Sequence, residues 1–167
     1  MTAITVFATQ NILNAGLHLV PIDQDNTGDI DDYTYSSGQS DGRKARNAAL
    51  ELGIPDGHTI YFAVDTDMTE DENLANAIPY FKGVASVMNH YKIGVYGPRN
   101  TCLMVSDAVS AVKYSYVSNM STGFSGNLGF SQPLNWAFIN SMKLALKVIC
   151  QLVTRLVSHM KTKGLLI

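Results

Sequence analysis

Residues 59–67 read TIYFAVDTD, and this stretch decides the fold. Thr59 to Asp65 is rich in β-branched and aromatic residues, a composition that favours a buried strand. Thr69 and Glu72 follow with the spacing of a capping box, which predicts a helix from there to about Asn89. A buried strand that leads directly into a helix is the unit from which parallel sheets are built.

Strand-type and helix-type stretches alternate on both sides of this unit. Four more strands are predicted, at Leu17 to Asp23, Lys92 to Gly97, Lys113 to Ser118 and Asn135 to Asn140. Further helices are predicted around Asn11 to Ala15, at Ser40 to Leu52 with Ser40 as N-cap and Gly53 with Pro55 as stop signal, and at Arg99 to Val112. Polar loops are predicted at Gln24 to Gln39 and around Gly123 to Gly129. The pattern predicts an α/β fold of TIM-barrel-like (β/α) type, incomplete because about five parallel strands cannot close an eight-stranded barrel.

The composition fits one globular domain and excludes several kinds of function. The 167 residues are 46% apolar with a net charge of −2, and no Lys/Arg-rich cluster with interleaved aromatics indicates a nucleic-acid partner. Cys102 and Cys150 form no CxxC pair and have no His at ligand spacing, so we expect buried thiols and neither a metal site nor a cofactor. Residues 1–10 lack the features of a secretory signal, and no stretch reaches the roughly twenty apolar residues of a membrane span.

Residues 141–167 differ from the rest of the chain. All 14 acidic residues precede position 141, whereas the tail is basic and its polar residues recur about every fourth position. This shift predicts a boundary between a partial barrel at residues 1–140 and a basic amphipathic helical tail at residues 141–167. Three interpretations of the tail stay open: a helix that covers the barrel, a helix on an anionic membrane surface, and the product of a frameshift.

Two carboxylates follow one another at the end of the central strand. Side chains two residues apart on a strand share a face, so we expect Asp65 and Asp67 to point the same way, with Cα atoms about 6.6 Å apart. That spacing suits the acid and the nucleophile or base of a glycosidase, and active sites of barrels form at the carboxyl ends of the strands. Two close like charges would raise one pKa and keep that carboxyl protonated. The alternative is structural, with Asp65 capping a turn and Asp67 beginning the loop before Thr69.

Other strand ends carry groups that suit a sugar site. The candidate substrate-binding residues are Asp23, Gln24, Tyr96, Tyr116, Trp136 and Asn140. Aromatic faces pack against the C–H surfaces of sugars, and amides and carboxylates hydrogen-bond the hydroxyls. Each aromatic taken alone is more often a core residue. No G-x-S-x-G, P-loop or H-E-x-x-H motif supports another chemistry.

A family resemblance rests on four segments. They are residues 45–55 (ARNAALELGIP), 59–67 (TIYFAVDTD), 78–84 (IPYFKGV) and 92–97 (KIGVYG). These segments resemble the glycoside-hydrolase-like domain, a TIM-barrel relative of the family 25 lysozymes, and the likeness extends over about residues 11–140. The resemblance implies an exported protein of Gram-positive bacteria or a phage-type lysin, with peptidoglycan glycan as substrate. It also implies that Asp65-Thr66-Asp67 stands where family 25 lysozymes have a D-x-E motif, with Asp67 in place of the Glu that supplies the key acid.

The resemblance is incomplete at both ends of the chain. The family's first strand, with an Asp near its end, and its first helix are not recognisable before Asn11, and the basic tail replaces its closing strands, as expected of a truncated or frameshifted product. The expected function is lysozyme-like hydrolysis of cell-wall polysaccharide, outside the cell or in the wall, with Asp67 as acid or base and Asp65 as its partner. The alternatives are an inactive glycan-binding module or remnant, and a half-barrel whose exposed sheet edges pair in a homo-oligomer.

Overall fold

The computed structural model describes residues 6–24 and 28–140 of the chain. The helices are α1 (Val6–Asn14), α2 (Tyr35–Glu51), α3 (Glu70–Glu72), α4 (Ile78–Ala85) and α5 (Arg99–Ala108). The strands are β1 (Ile22–Asp23), β2 (Thr59–Ala63), β3 (Lys92–Gly97), β4 (Val112–Val117) and β5 (Trp136–Ile139). Val20–Asn140 form one compact unit, and α1 lies outside it. The predicted helical tail falls outside the described residues, so the predicted domain boundary stays a prediction.

The five strands form one parallel sheet in the order β1-β2-β3-β4-β5. Each strand pairs with its neighbours in the sequence, as in a TIM barrel, so the prediction of an α/β, partial TIM-barrel-like fold is confirmed. The strand bounds agree with the prediction to within two residues except at β1, which begins at Ile22 instead of Leu17. Because the strands are parallel, their carboxyl ends share one edge of the sheet, which we call the carboxyl edge.

One face of the sheet packs against the helices and forms the core. From β2 this face presents Ile60 and Phe62, both buried. The helices contribute Ala45 and Ala49 from α2, Phe81 and Val84 from α4, and Cys102 and Val105 from α5. Each large apolar side chain buried here contributes about 1.5–3 kcal/mol. The expected buried thiol is confirmed for Cys102, and burial raises its pKa to about 12.

Helices α2 and α4 pack with their backbones in contact. A Cβ on Gly38 would lie 2.1 Å from the carbonyl oxygen of Tyr80, and a Cβ on Gly83 would lie 2.1 Å from the carbonyl oxygen of Tyr35. The helices approach this closely because both positions lack a side chain. The same contact lets the Tyr80 hydroxyl donate to Oδ2 of the buried Asp41 at 3.1 Å, so that carboxylate has a partner in the core.

The start of α2 differs from the prediction. The helix begins at Tyr35, so the predicted loop from Gln24 to Gln39 is too long and Ser40 is not the N-cap. Thr34 is the N-cap: its hydroxyl accepts a hydrogen bond from the Ser37 amide at 3.1 Å, and its own amide donates to the Ser37 hydroxyl at 2.9 Å. Serine here takes the place of the Glu or Gln of the usual capping box, so the start signal is weak in the sequence.

The other helices agree with the prediction in part. The capping box of Thr69 and Glu72 is confirmed, since Oε2 of Glu72 accepts a hydrogen bond from the Thr69 amide at 2.7 Å. The helix continues through a π-helical turn at Asn73–Ala77 into α4, which ends at Ala85 instead of near Asn89. α1 is longer than the predicted remnant, and α5 is four residues shorter than predicted. None of the described helices is long and apolar enough to cross a membrane.

The glycine contact predicts the effect of adding one methyl group. Gly38→Ala places Cβ against the Tyr80 carbonyl, so we expect it to destabilise the protein by about 2 kcal/mol, although alanine favours a helix by about 1 kcal/mol. Gly123→Ala is the control, because no atom lies within 4 Å of a Cβ at that position. Urea unfolding of both variants measures the two free energies. A Gly38→Ala variant as stable as the wild type would show that this contact does not limit the helix packing.

Candidate functional site

Asp65 lies at the carboxyl edge with its side chain exposed. β2 ends at Ala63, so Asp65 lies in the loop after the strand and not on the strand as predicted. The Val64 amide donates to the Tyr96 carbonyl at 2.7 Å, which keeps the start of this loop in register with β3. Gln24, the residue after β1, donates from Nε2 to Oδ2 of Asp65 at 3.2 Å. A carboxylate and an amide therefore meet across two neighbouring strand ends.

Tyr96 and Asn140 belong to the same group of side chains. Nδ2 of Asn140 donates to the Tyr96 hydroxyl at 3.4 Å. Burial and, after it, the negative charge of Asp65 raise the pKa of Tyr96 to about 12, so the phenol stays protonated at neutral pH. Four of the predicted site residues, Gln24, Asp65, Tyr96 and Asn140, thus lie together. They offer a carboxylate, two amides and a phenol at one edge of the sheet.

Asp67 contacts the loop between β4 and β5, residues 118–135, which we call the β4–β5 loop. Oδ2 of Asp67 accepts a hydrogen bond from the Ser125 amide at 2.7 Å, and Oδ1 accepts one from the Gly126 amide at 2.9 Å. These amides begin a short 3-10 helix, Ser125–Asn127. Free N–H groups at a helix start attract a negative charge. The contact joins the loop after β2 to the β4–β5 loop.

These hydrogen bonds decide the charge of Asp67. Partial burial raises the pKa of this carboxyl, but hydrogen bonds from Gly126 and Ser125 outweigh that effect and hold the pKa below its usual value. Asp67 is therefore ionised at neutral pH. The expectation that one of two close carboxyls is kept protonated does not apply to Asp67, and its role as catalytic acid or base stays a prediction.

Two side chains hold the β4–β5 loop against the start of α5. Nη2 of Arg99 donates to Oδ1 of Asn119 at 2.6 Å, and its Nη1 donates to the Phe130 carbonyl at 3.1 Å. Oδ1 of Asn127 accepts from the Arg99 amide at 3.0 Å, while its Nδ2 donates to the Ser118 and Ser121 carbonyls, both at 3.0 Å. These side-chain hydrogen bonds fix the position of the loop and add to the backbone hydrogen bonds within it.

The face of the sheet opposite the helices is aromatic. Tyr116 packs against Tyr96, Tyr61 and Phe138, with ring centroids 5.1, 5.9 and 5.4 Å away. Gly94 makes room for this packing, since a Cβ there would lie 2.3 Å from the Tyr61 ring. Burial, and then the neighbouring tyrosines, raise the pKa of Tyr61 to about 12. Tyr116, predicted to bind substrate, is buried in this cluster just below the carboxyl edge.

Asp23 and Trp136 lie apart from the group around Asp65. Asp23 pairs with Phe62 in the sheet, so its side chain is on the face that carries the helices. There its charge is one of the causes, after burial and Asp41, of a raised pKa at Tyr80. Trp136 is the first residue of β5, at the amino end of the strand, and its side chain is 52% exposed. Asp23, the last residue of β1, thus lies at the carboxyl edge but on the helix-bearing face, whereas Trp136 lies at the amino end of its strand.

The residues of the β4–β5 loop that reach this edge were missed in the sequence. They are Met120, Ser125, Gly126 and Asn127, together with Arg99 and Asn100 at the start of α5. The signal in the sequence is the polar, glycine-containing loop predicted around Gly123 to Gly129. Long polar loops at the carboxyl edge of a barrel sheet are where functional groups gather.

The arrangement suits recognition of a polyhydroxylated ligand. Carboxylate, amide and phenol groups converge beside an aromatic cluster, and such groups hydrogen-bond hydroxyls and pack on C–H faces. Within residues 6–24 and 28–140, no cluster of three or more His, Cys, Asp or Glu side chains is placed to hold a metal ion.

A sequential parallel sheet with helices on one face and polar groups at its carboxyl edge defines an α/β domain of partial TIM-barrel type. Residues 2–151 match the family described as Rv2525c-like, glycoside hydrolase-like domain. The chain belongs to this family. The resemblance to a glycoside-hydrolase-like domain is thereby confirmed at the level of the family.

Two curated relatives come from Bacillus subtilis (strain 168). The uncharacterized protein YbfG is 47% identical over 136 residues, which cover 76% of this chain and 18% of YbfG. The uncharacterized protein FadG is 44% identical over 134 residues, covering 77% of this chain and 23% of FadG. The chain thus spans about a fifth of the length of these relatives.

Solved structures share the fold at low identity. The Mycobacterium tuberculosis Tat-secreted protein Rv2525c, in complex with HEPES, has a TM-score of 0.66 and 22% identity over 79% of this chain and 64% of that chain. The same protein in complex with L-tartrate has a TM-score of 0.65 over 79% of this chain and 63% of that chain. An uncharacterized B. stearothermophilus protein has a TM-score of 0.56 and 15% identity, over 86% and 73% of the two chains. These similarities show the fold alone.

The lowered pKa of Asp67 predicts how its contribution to stability depends on pH. A carboxyl with a folded-state pKa below its unfolded value of about 3.9 stabilises the protein above that value, and the effect is lost as pH falls through the folded pKa. We expect Asp67→Asn to lower the free energy of unfolding at pH 7 and to do so less below about pH 3.5. Asp107→Asn, at an exposed position on α5, is the control. Urea unfolding at both pH values measures the free energies. If Asp67→Asn lowered the free energy of unfolding equally at both, the lowered pKa of Asp67 would be contradicted.

Proposed function

We propose that this chain carries a glycoside hydrolase-like domain that acts on the glycan of bacterial peptidoglycan in a lysozyme-like way. The observation that carries the proposal is the group of Gln24, Asp65, Tyr96 and Asn140 at the carboxyl edge. An exposed carboxylate flanked by amides and a protonated phenol suits a ligand rich in hydroxyl groups. The family description supports glycoside chemistry. The likeness of Asp65-Thr66-Asp67 to the D-x-E motif of family 25 lysozymes supports the substrate class.

In this proposal Asp65 is the carboxylate that meets the glycan. Its side chain is exposed and its neighbour Gln24 donates to one oxygen only. Hydrolysis by two carboxylates requires one of them to be protonated. Since hydrogen bonds hold Asp67 ionised, Asp67 suits the role of a fixed negative charge beside the reacting centre and not that of the proton donor.

A glycan-binding module without turnover is the second candidate function. The observation that favours it is that both oxygens of Asp67 already accept backbone hydrogen bonds at 2.7 and 2.9 Å. A carboxylate held in this way is a weaker base, because protonation would break the charge-assisted bonds. Binding through Asp65 and the amides needs no second reacting carboxylate. The two candidates therefore differ in whether bonds are cleaved and agree on the site.

Location and assembly are proposed on separate grounds. Rv2525c is a Tat-secreted protein, which supports a place outside the cell or in the wall for this chain, with cell-wall polysaccharide as partner.

A homo-oligomer through sheet edges is supported by β5, which pairs only with β4 among the described strands and whose Phe138 is 42% exposed. Sedimentation of the full chain at several concentrations tests the assembly, and a monomer at every concentration contradicts it.

The proposed function predicts the result of removing one carboxylate. We expect Asp65→Asn to weaken binding to purified peptidoglycan about tenfold or more, because hydrogen bonds to a charged group are worth about 1.5–3 kcal/mol. If the domain is a hydrolase, the wild type also releases reducing ends, and the rate of release by the variant is at least about a hundredfold lower. Cosedimentation with peptidoglycan and a reducing-end assay measure the two effects.

The outcomes separate the candidate functions. Release of reducing ends by the wild type that Asp65→Asn lowers supports the hydrolase. Binding without release supports the binding module. Asp107→Asn is the matched control, since it removes an exposed carboxylate at the C-terminal end of α5. That end leads into the start of β4 and so lies away from the carboxyl edge. A folded wild type that neither binds nor cleaves peptidoglycan contradicts both candidates.

A further inference from the structure

We propose that Asp67 is a positioning residue, whose carboxylate fixes the β4–β5 loop as one wall of the glycan site in which Asp65 is the contacting carboxylate. The inference rests on the proposed function and holds for the hydrolase and for the binding module. It gives the two aspartates different tasks, although they are only two residues apart. Three contacts of the β4–β5 loop carry it.

The first contact is that of Asp67 with the loop backbone. The Ser125 amide donates to one oxygen at 2.7 Å and the Gly126 amide donates to the other at 2.9 Å. Both oxygens are engaged, so the orientation of the carboxylate and the position of the loop determine each other. Hydrogen bonds to an ionised carboxylate are short and about twice as strong as neutral ones. The side chain of Asp65, in contrast, accepts a hydrogen bond from the side-chain amide of Gln24 at 3.2 Å and is exposed.

The second contact lies beside the first and fixes how closely the loop approaches. A Cβ on Gly126 would lie 2.1 Å from Oδ1 of the buried Asn100. Nδ2 of Asn100 in turn donates to the carbonyl of Met68, the residue after Asp67, at 2.6 Å. The loop therefore contacts Asp67 directly and, beside it, Asn100 of α5, which is itself hydrogen-bonded to the segment after β2. Gly126 is needed because any side chain there would push the loop away from Asn100.

The third contact connects the loop to the group around Asp65. The Met120 amide donates to Oδ1 of Asn140 at 3.1 Å, and Nδ2 of the same Asn140 donates to the Tyr96 hydroxyl at 3.4 Å. The negative charge of Asp65 is one of the causes that raise the pKa of that hydroxyl. The β4–β5 loop thus spans from Asp67 to the neighbours of Asp65. A shift of the loop at Asp67 is transmitted to the amide and the phenol that flank the contacting carboxylate.

The sequence of the motif agrees with this division of tasks. The motif is Asp65-Thr66-Asp67, and an aspartate has a single methylene between its Cα and its carboxylate. A side chain this short keeps its carboxylate close to the backbone, where the amides of Ser125 and Gly126 meet it. Asp67 therefore contributes to the site through the loop, whereas Asp65 contributes its own carboxylate.

The test compares three variants of the full chain in two measurements. Asp67→Asn removes the charge that holds the loop, Gly126→Ala displaces the loop and leaves Asp67 intact, and Asp65→Asn removes the contacting carboxylate. We expect the first two to speed hydrogen exchange at the amides of residues 125–127 by at least about tenfold, and Asp65→Asn to leave it unchanged. The second measurement is the Kd for soluble glycan strands released from peptidoglycan. All three variants are expected to raise this Kd by at least about tenfold.

Each outcome decides the inference. Faster exchange and a weaker Kd in both Asp67→Asn and Gly126→Ala support it, because a residue that only stabilises the loop would not change the affinity for glycan. Faster exchange with an unchanged Kd overturns it, as does unchanged exchange in Asp67→Asn. If Asp65→Asn alone weakens the Kd, the proposed function stands and the inference falls. If the wild type binds no glycan strands while exchange shows it folded, both fall.

Discussion

The hydrogen bonds from the Ser125 and Gly126 amides to the Asp67 carboxylate join parts of the chain that are 58 and 59 residues apart. They connect the segment after β2 with the β4–β5 loop, which Arg99 and Asn127 hold at other points. The loop has backbone hydrogen bonds of its own, among them those of the short 3-10 helix, but only contacts with other segments fix its position on the sheet. The geometry of the carboxyl edge depends on this contact, because the same loop reaches Asn140 and, through it, Tyr96.

Glycines determine the shape of the sheet and its helical layer. Gly38 and Gly83 allow α2 and α4 to touch along their backbones, and Gly94 gives the Tyr61 ring its place on the opposite face of the sheet. The helix-bearing face packs into a core of aliphatic and aromatic side chains, while the other face is a cluster of aromatic rings. In a barrel of this type the aromatic face points to the barrel axis, and its upper end meets the carboxyl edge. The candidate site therefore has an apolar floor beneath its polar groups.

The parts of the fold that local sequence specifies could be predicted. KIGVYG at Lys92–Gly97 has the predicted bounds, and the Thr69–Glu72 capping box forms as expected. β1 is short because Pro21 has no N–H for the sheet, so only Ile22–Asp23 pair with β2. The start of α2 was hidden by a serine in the capping box. Of the site, the meeting of Asp65, Gln24, Tyr96 and Asn140 followed from the topology of parallel strands, but the partner of Asp67 did not. The local sequence around Ser125 and Gly126 contains no signal that their amides will face a carboxylate so far away in the chain.

Glycan binding at the carboxyl edge around Asp65 can be measured by titrating the isotopically labelled chain with a soluble peptidoglycan tetrasaccharide and following the amide and side-chain NMR shifts. We expect the largest shifts at Gln24, Asp65 and Asn140, including the side-chain amides of Gln24 and Asn140, and smaller ones along the β4–β5 loop. Shifts confined to residues away from this edge, or none at saturating tetrasaccharide, would contradict glycan binding at this site.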